Sequence, residues 1–129
     1  MTVLVGYVPT TEGEAAFTAA LSEARRRGER LVVLNSPRSG APVSADVAPD
    51  SAVHDMAARA RTAGVELDVR QAPHDGEVAD EVLRVAREAD ASVIVIGLRK
   101  RSPVGKLLMG SSAQRILLDA DRPVLAVKP

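Results

Sequence analysis

The sequence predicts an α/β protein: an open parallel sheet of five strands with helices on both faces. Three observations carry that reading. Five short runs are rich in Val, Ile and Leu without polar alternation, as in strands covered on both faces. Four intervening segments repeat one apolar spacing of 0, 3, 4 and 7 residues, which puts a narrow stripe on each of four helices. Strand and helix alternate throughout, and that order requires parallel strands joined by right-handed crossovers.

The expected strands are Val3–Val8, Arg30–Ser36, Val65–Gln71, Ser92–Gly97 and Pro123–Lys128. The first helical stripe is Phe17, Ala20, Leu21 and Ala24, with Thr11 and Glu14 spaced as a capping box. Gly28 falls where that helix should end, within the run "RRRGER" (Arg25 to Arg30), which is read as a solvated helix end whose cations suit the dipole, with a binding patch as the alternative. Val53, Met56, Ala57 and Ala60 form the second stripe, closed by Gly64; His54 lies within it and is expected to be exposed. Ala79, Val82, Leu83 and Ala86 form the third, where Asp75 is the expected N-cap and His74 lies in a turn. Ala113, Ile116, Leu117 and Ala120 form the last.

At 129 residues the chain is read as one domain, residues 1–129. Its 17 basic and 17 acidic residues cancel, and Tyr7 and Phe17 are its only aromatics. Neither a basic field nor a stacking platform for bases is present, so a nucleic-acid partner is not expected. There is no cysteine and there are two histidines, which excludes disulfides and argues against a resident metal. No run reaches the roughly 18–20 apolar residues of a membrane span, and a cytoplasmic protein is the expectation.

In an open parallel sheet, ligands sit at the carboxyl ends of the strands. The loops of interest are therefore Val8–Thr11, Pro37–Asp50, Ala72–Gly76 and Leu98–Gly110. The last stands within "GLRKRSPVGKLLMGSS" (Gly97 to Ser112), with four cations (Arg99, Lys100, Arg101 and Lys106) among its residues. Ser111 and Ser112 stand at the expected start of the last helix, where free amides and the dipole attract anions, and Gly110 lets the backbone approach a phosphate. A capped helix after a solvated basic loop has the same spacing. The stretch is not a Walker loop, because Lys106 is followed by leucine, and no G-x-G-x-x-G follows the first strand. His74 and Asp75 are adjacent but lack a third partner, and no nucleophile elbow or zinc-protease motif occurs. "GYVPTT" offers no cluster of acids for a phosphate-accepting receiver domain.

These residues resemble the universal stress protein family along the whole chain. "ASVIVIGLRKRSPVGKLLMGSSAQRILLDADRPVLAVKP" is similar to its fourth strand, glycine loop, last helix and closing strand. The family's nucleotide-binding branch carries Gly-x2-Gly-x9-Gly-Ser/Thr. Gly97, Gly110 and Ser111 match at that spacing, while Lys100 replaces the second glycine and Val8 stands where an aspartate usually meets the nucleoside. "LVVLNSP" resembles the second strand, whose end presents backbone to adenine near Asn35 and Ser36.

The resemblance implies a Rossmann-like sheet, similar to the adenine nucleotide alpha hydrolase-like folds, in strand order 3-2-1-4-5. It implies a regulatory binder of ATP or AMP, with Mg2+ only beside ATP, and at most a slow ATPase activity. Val8, Pro9 and Ser36 would meet the nucleoside. Gly97, Arg99, Lys100, Gly110, Ser111 and Ser112 would meet phosphate, with Lys100 as a substitute donor. A homodimer through Pro123–Lys128 is expected as well. The competing expectation is a nucleotide-independent dimer that acts through protein–protein contact.

Overall fold

The computed structural model describes residues 1–36, 47–99 and 110–129. Their elements alternate as expected: β1 (Thr2–Gly6), α1 (Thr11–Arg27), β2 (Arg30–Asn35), α2 (Asp50–Ala63), β3 (Leu67–Gln71), α3 (Val78–Glu88), β4 (Ala91–Gly97), α4 (Ser111–Asp119) and β5 (Val124–Val127). The strands form one parallel sheet in the order β3-β2-β1-β4-β5. Successive side chains point to opposite faces, and each set finds its own helices. Val3, Val5, Leu31, Val33, Val93 and Val95 pack with Phe17, Ala20 and Met56 on the side of α1 and α2. Leu4, Val32, Leu34, Ile94 and Ile96 pack with Val82, Leu83 and Ile116 on the side of α3 and α4. Burial on both faces explains why the central strands lack alternation. Edge strand β3 differs: Leu67 and Val69 join the first core, while Asp68 and Arg70 pair with each other on the other face.

Several local expectations are corrected. The first strand ends at Gly6 rather than Val8, although the Tyr7 amide still bonds to Leu34 O at 2.9 Å. The N-cap of α1 is Thr10, not Thr11. Its extended backbone (φ −132°, ψ 172°) lets Oγ1 accept from the Gly13 amide at 3.2 Å. Gly13 has no side chain to return the bond, so no capping box forms, and Glu14 instead accepts from Tyr7 Oη at 2.9 Å. Glu77 rather than Asp75 precedes α3, without a side-chain cap bond. Leu117 is 38 % exposed and Leu118 81 %, so the last stripe narrows to Ile116, flanked by half-buried Ala113 and Ala120. Helix α4 has nine residues, meets α3 and packs Ile116 into the second core. Gly28 and Gly64 do end their helices in the left-handed conformation, at φ 65° and 72°.

Two glycines set how tightly the carboxyl edge is built. A Cβ on Gly13 would lie 1.8 Å from the Val8 carbonyl oxygen, so the loop after β1 folds directly onto the first turn of α1. One on Gly97 would lie 2.3 Å from the Glu12 carbonyl oxygen, which draws the end of β4 against the same turn.

Candidate functional site

Between the carboxyl ends of β1, β2 and β4 lies an apolar cavity of about 150 Å³. Gly6, Tyr7 and Val8 form its floor, Leu34 and Ser36 one side, and Val82 of α3 with Ile116 of α4 the cover. It sits at the switch point of the sheet, between β1 and β4, where the chain reverses its direction of strand addition. Val8, Gly97, Ser112 and Ala113 also line a second, polar cavity of about 410 Å³, together with Thr10, Glu12, Arg99, Gly110 and Ser111. The two cavities are adjacent and share those four residues.

The cover is braced by charge. Arg115 of α4 reaches Glu77 and Asp80 at 2.8 Å each, and Asp119 at 3.5 Å. The first two contacts tie α4 to the start of α3. These pairs are partly exposed, so their value lies in orientation more than in stability.

The polar cavity is bounded by the first turn of α4. Gly110 is the N-cap residue, and Ser111 and Ser112 are the first two helical residues rather than caps. Gln114 N–H is the first to bond back to Gly110 O, at 3.0 Å, so the amides of Ser111, Ser112 and Ala113 have no intrahelical acceptor. A Cβ on Gly110 would meet nothing within 4 Å, and its φ of −60° suits any residue. Packing therefore does not explain a glycine at that position, in contrast to Gly97.

Sequence reasoning placed Val8, Pro9, Ser36, Gly97, Arg99, Gly110, Ser111 and Ser112 in this region. All of them except Pro9 line the two cavities; Pro9 lines a separate depression with Thr11, Glu14 and Pro49. Lys100, Arg101 and Lys106 lie outside the described residues, as do 37–46 of the long loop. Glu12 was missed. Its carboxyl is held below the usual carboxylate range, first by a hydrogen bond with Thr10 and also by the charge of Arg99, so the polar cavity contains a fixed anion. Its position, one turn after β1 on the ligand edge, was the available signal. His74 bonds with Ser36 at the end of β2. Strand order puts it three spacings from β4, roughly 14 Å.

Tyr7 is buried at the cavity floor, and its phenol is pushed up to about 12, chiefly by burial and then by its bond to the Glu14 carboxylate. A pKa raised on folding gives stability that is complete below the unfolded value of about 10 and is lost as pH rises through about 12. Urea unfolding at about pH 9 and about pH 11.5 should therefore show an alkaline loss in the wild type that is smaller in Tyr7→Phe. Equal losses in both proteins would show that Tyr7 has no part in it.

The universal stress protein family model matches residues 1–128. A universal stress protein of Mycolicibacterium smegmatis is 43 % identical over 127 residues, covering 98 % of this chain and 97 % of its own. Among solved structures, a universal stress protein from Archaeoglobus fulgidus superposes with a TM-score of 0.84 at 32 % identity, covering 99 % of this chain and 98 % of that one. A universal stress protein from the same organism in complex with dAMP gives 0.75 at 27 %, with the same coverages. Among the described residues, no helix is long and apolar enough to cross a membrane.

Proposed function

Because this chain belongs to the universal stress protein family, we propose that it binds an adenine nucleotide in the double cavity at the switch point and acts as a regulatory binder rather than an enzyme. The observation that carries this reading is that an apolar cavity and a polar one lie side by side at the amino end of α4 and share Val8, Gly97, Ser112 and Ala113. A purine is flat and largely apolar, and the first cavity offers Val8, Leu34 and Val82. Phosphates are anionic, and the second offers Arg99 with the outward amides of Ser111 and Ser112. The structure solved with dAMP has the same fold at 27 % identity and supports the choice of an adenine nucleotide.

Val8 replaces an acidic nucleoside contact with an apolar one, so base burial supplies more of the affinity here. Glu12 opposes bare phosphate, and Arg99 offsets it. With a triphosphate, Mg2+ would meet one carboxylate there, in keeping with its habit of taking few protein ligands. Ser36 has a neighbouring base in His74, but among the described residues no carboxylate is bonded to that histidine to complete a relay, which favours binding over turnover.

Native mass spectrometry of the purified protein should show a co-purifying adenine nucleotide. A clean apo spectrum that stays apo after incubation with nucleotide would favour the nucleotide-independent dimer instead.

The chain is also proposed to pair with a second copy through β5. That strand is half-buried, bonds to β4 on one side and ends the sheet on the other. An apolar edge invites a partner strand, and two copies related by a two-fold axis can meet there. The exposed Leu118 lies on the helix that leads into it. Sedimentation at tens of micromolar should give the dimer mass, and strict monomer behaviour would reject the pairing.

A further inference from the structure

Ser36 Oγ lies 3.0 Å from His74 Nδ1, in a half-buried hydrogen bond at the carboxyl end of β2. Ser36 also lines the apolar cavity. The preceding Asn35 is fully buried and held by hydrogen bonds to neighbouring elements. Asn35 Nδ2 donates to Tyr7 O at 3.0 Å, and its Oδ1 accepts from the Ala48 amide at 2.9 Å and from Gln71 Nε2 at 3.3 Å. Gln71 Nε2 also donates to Ala48 O at 3.0 Å. The direction of the Ser36 proton can change without disturbing any of these bonds.

We propose that His74 is a positioning residue that sets which hydrogen bond Ser36 offers to the base, so that the cavity's choice between 6-amino and 6-oxo purine nucleotides follows the charge of His74. The proposal rests on the nucleotide-binding reading above and names what that site discriminates. A hydroxyl carries one proton and two acceptor lone pairs. When the imidazole is neutral with Nδ1 bare, Ser36 donates to it, and its lone pairs face the cavity. An exocyclic amino group then finds an acceptor there. When the imidazole is cationic, Nδ1 carries a proton and donates to Ser36 Oγ. The serine proton is released toward the cavity and suits a carbonyl oxygen. The adjustment needs no backbone movement.

The charged surroundings of His74 among the described residues are few. Asp75 follows it in the chain. From α3 it is faced by Glu81, whose carboxyl is held low first by Arg84 and also by the charge of His74. β2 presents the uncharged Ser36 and Asn35, and β3 ends in the uncharged Gln71. Glu81 is held ionised by its two contacts with Arg84. The other histidine, His54, is exposed on α2 and lines neither cavity.

The test is binding of AMP and IMP by the full chain at about pH 8 and about pH 5.5, a range across which imidazoles change charge. At the higher pH the wild type should prefer AMP by about fivefold, the worth of one neutral hydrogen bond, and the preference should fall to about parity at the lower pH. His74→Ala and His74→Asn, each checked for native circular dichroism, should give a ratio that does not move with pH. His54→Gln should behave as wild type, and Ser36→Ala should lose the preference at both pH values. A wild-type ratio that is flat with pH, or one that still shifts in both His74 variants, overturns the proposal while leaving nucleotide binding intact. Failure to bind either nucleotide at any pH overturns both.

Discussion

Gly13→Ala should lower the stability of the chain by about 3 kcal/mol or more, a fall in Tm of roughly 10 °C for a domain of this size. The cause is a clash with a single residue, Val8. The added Cβ would sit 1.8 Å from the carbonyl oxygen of Val8, 2.9 Å from its carbonyl carbon and 3.0 Å from its amide nitrogen. All three are main-chain atoms, so no rotamer change relieves the clash. That carbonyl is also held by the Thr10 amide at 2.8 Å, and the Gly13 amide by Thr10 Oγ1. The loop must therefore move as a unit, taking the Val8 wall of both cavities with it. Gly110→Ala provides the contrast: nothing lies within 4 Å of the new methyl group, and thermal unfolding should be nearly unchanged. Equal stability of wild type and Gly13→Ala would show that the loop does not pack as described.

Lys100→Ala should weaken ATP by about 1.5–3 kcal/mol, the worth of a hydrogen bond to a charged group, and AMP by less. Lys100 lies outside the described residues, so the expectation rests on chemistry and chain position. It follows Arg99, which lines the polar cavity beside the outward amides of α4. It also occupies the place where the family's binding loop has a glycine. A lysine resists the backbone conformations open to glycine but can bring an ammonium to phosphate as a point charge. The Glu12 carboxylate makes the cation count matter, because without enough positive charge the cavity disfavours added phosphates. Ser111→Ala tests the alternative, since a site built on backbone amides should tolerate loss of the hydroxyl. Equal ATP and AMP affinities in wild type and Lys100→Ala would make the lysine a solvated surface residue.

Most of the fold was legible because both of its periods are written plainly. The first three helical stripes and the unbroken apolar runs of β1, β2 and β4 each demand burial on known faces, and the fold supplies it. The ends of elements were harder to read. Thr10 and Thr11 are chemically identical as caps, and only backbone conformation distinguishes them. Leu117 fits the stripe of α4 but finds no cover, because a stripe predicts a partner surface without guaranteeing that the edge of the sheet is wide enough.

Loops that follow strands singled out Val8 and Arg99, the expected start of the last helix singled out Ser111, and the family resemblance added Ser36 and Gly97. What the sequence concealed was pairing between distant loops. Ser36 and His74 are 38 positions apart, and no local pattern joins them. Gly97 was read as a residue near phosphate; no signal in the sequence showed that an added Cβ there would also strike the main chain of Glu12. Glu12 itself looked like an ordinary acid in the first turn of a helix, where the dipole favours it.

The most direct test of nucleotide binding is isothermal calorimetry of the wild-type chain with AMP, dAMP and ATP at up to about millimolar nucleotide, a concentration that detects affinities as weak as about −4 kcal/mol. The double cavity predicts saturable heat with one nucleotide bound per chain and competition between AMP and dAMP for the same site. No heat from any of the three, with the protein folded by circular dichroism, would contradict it.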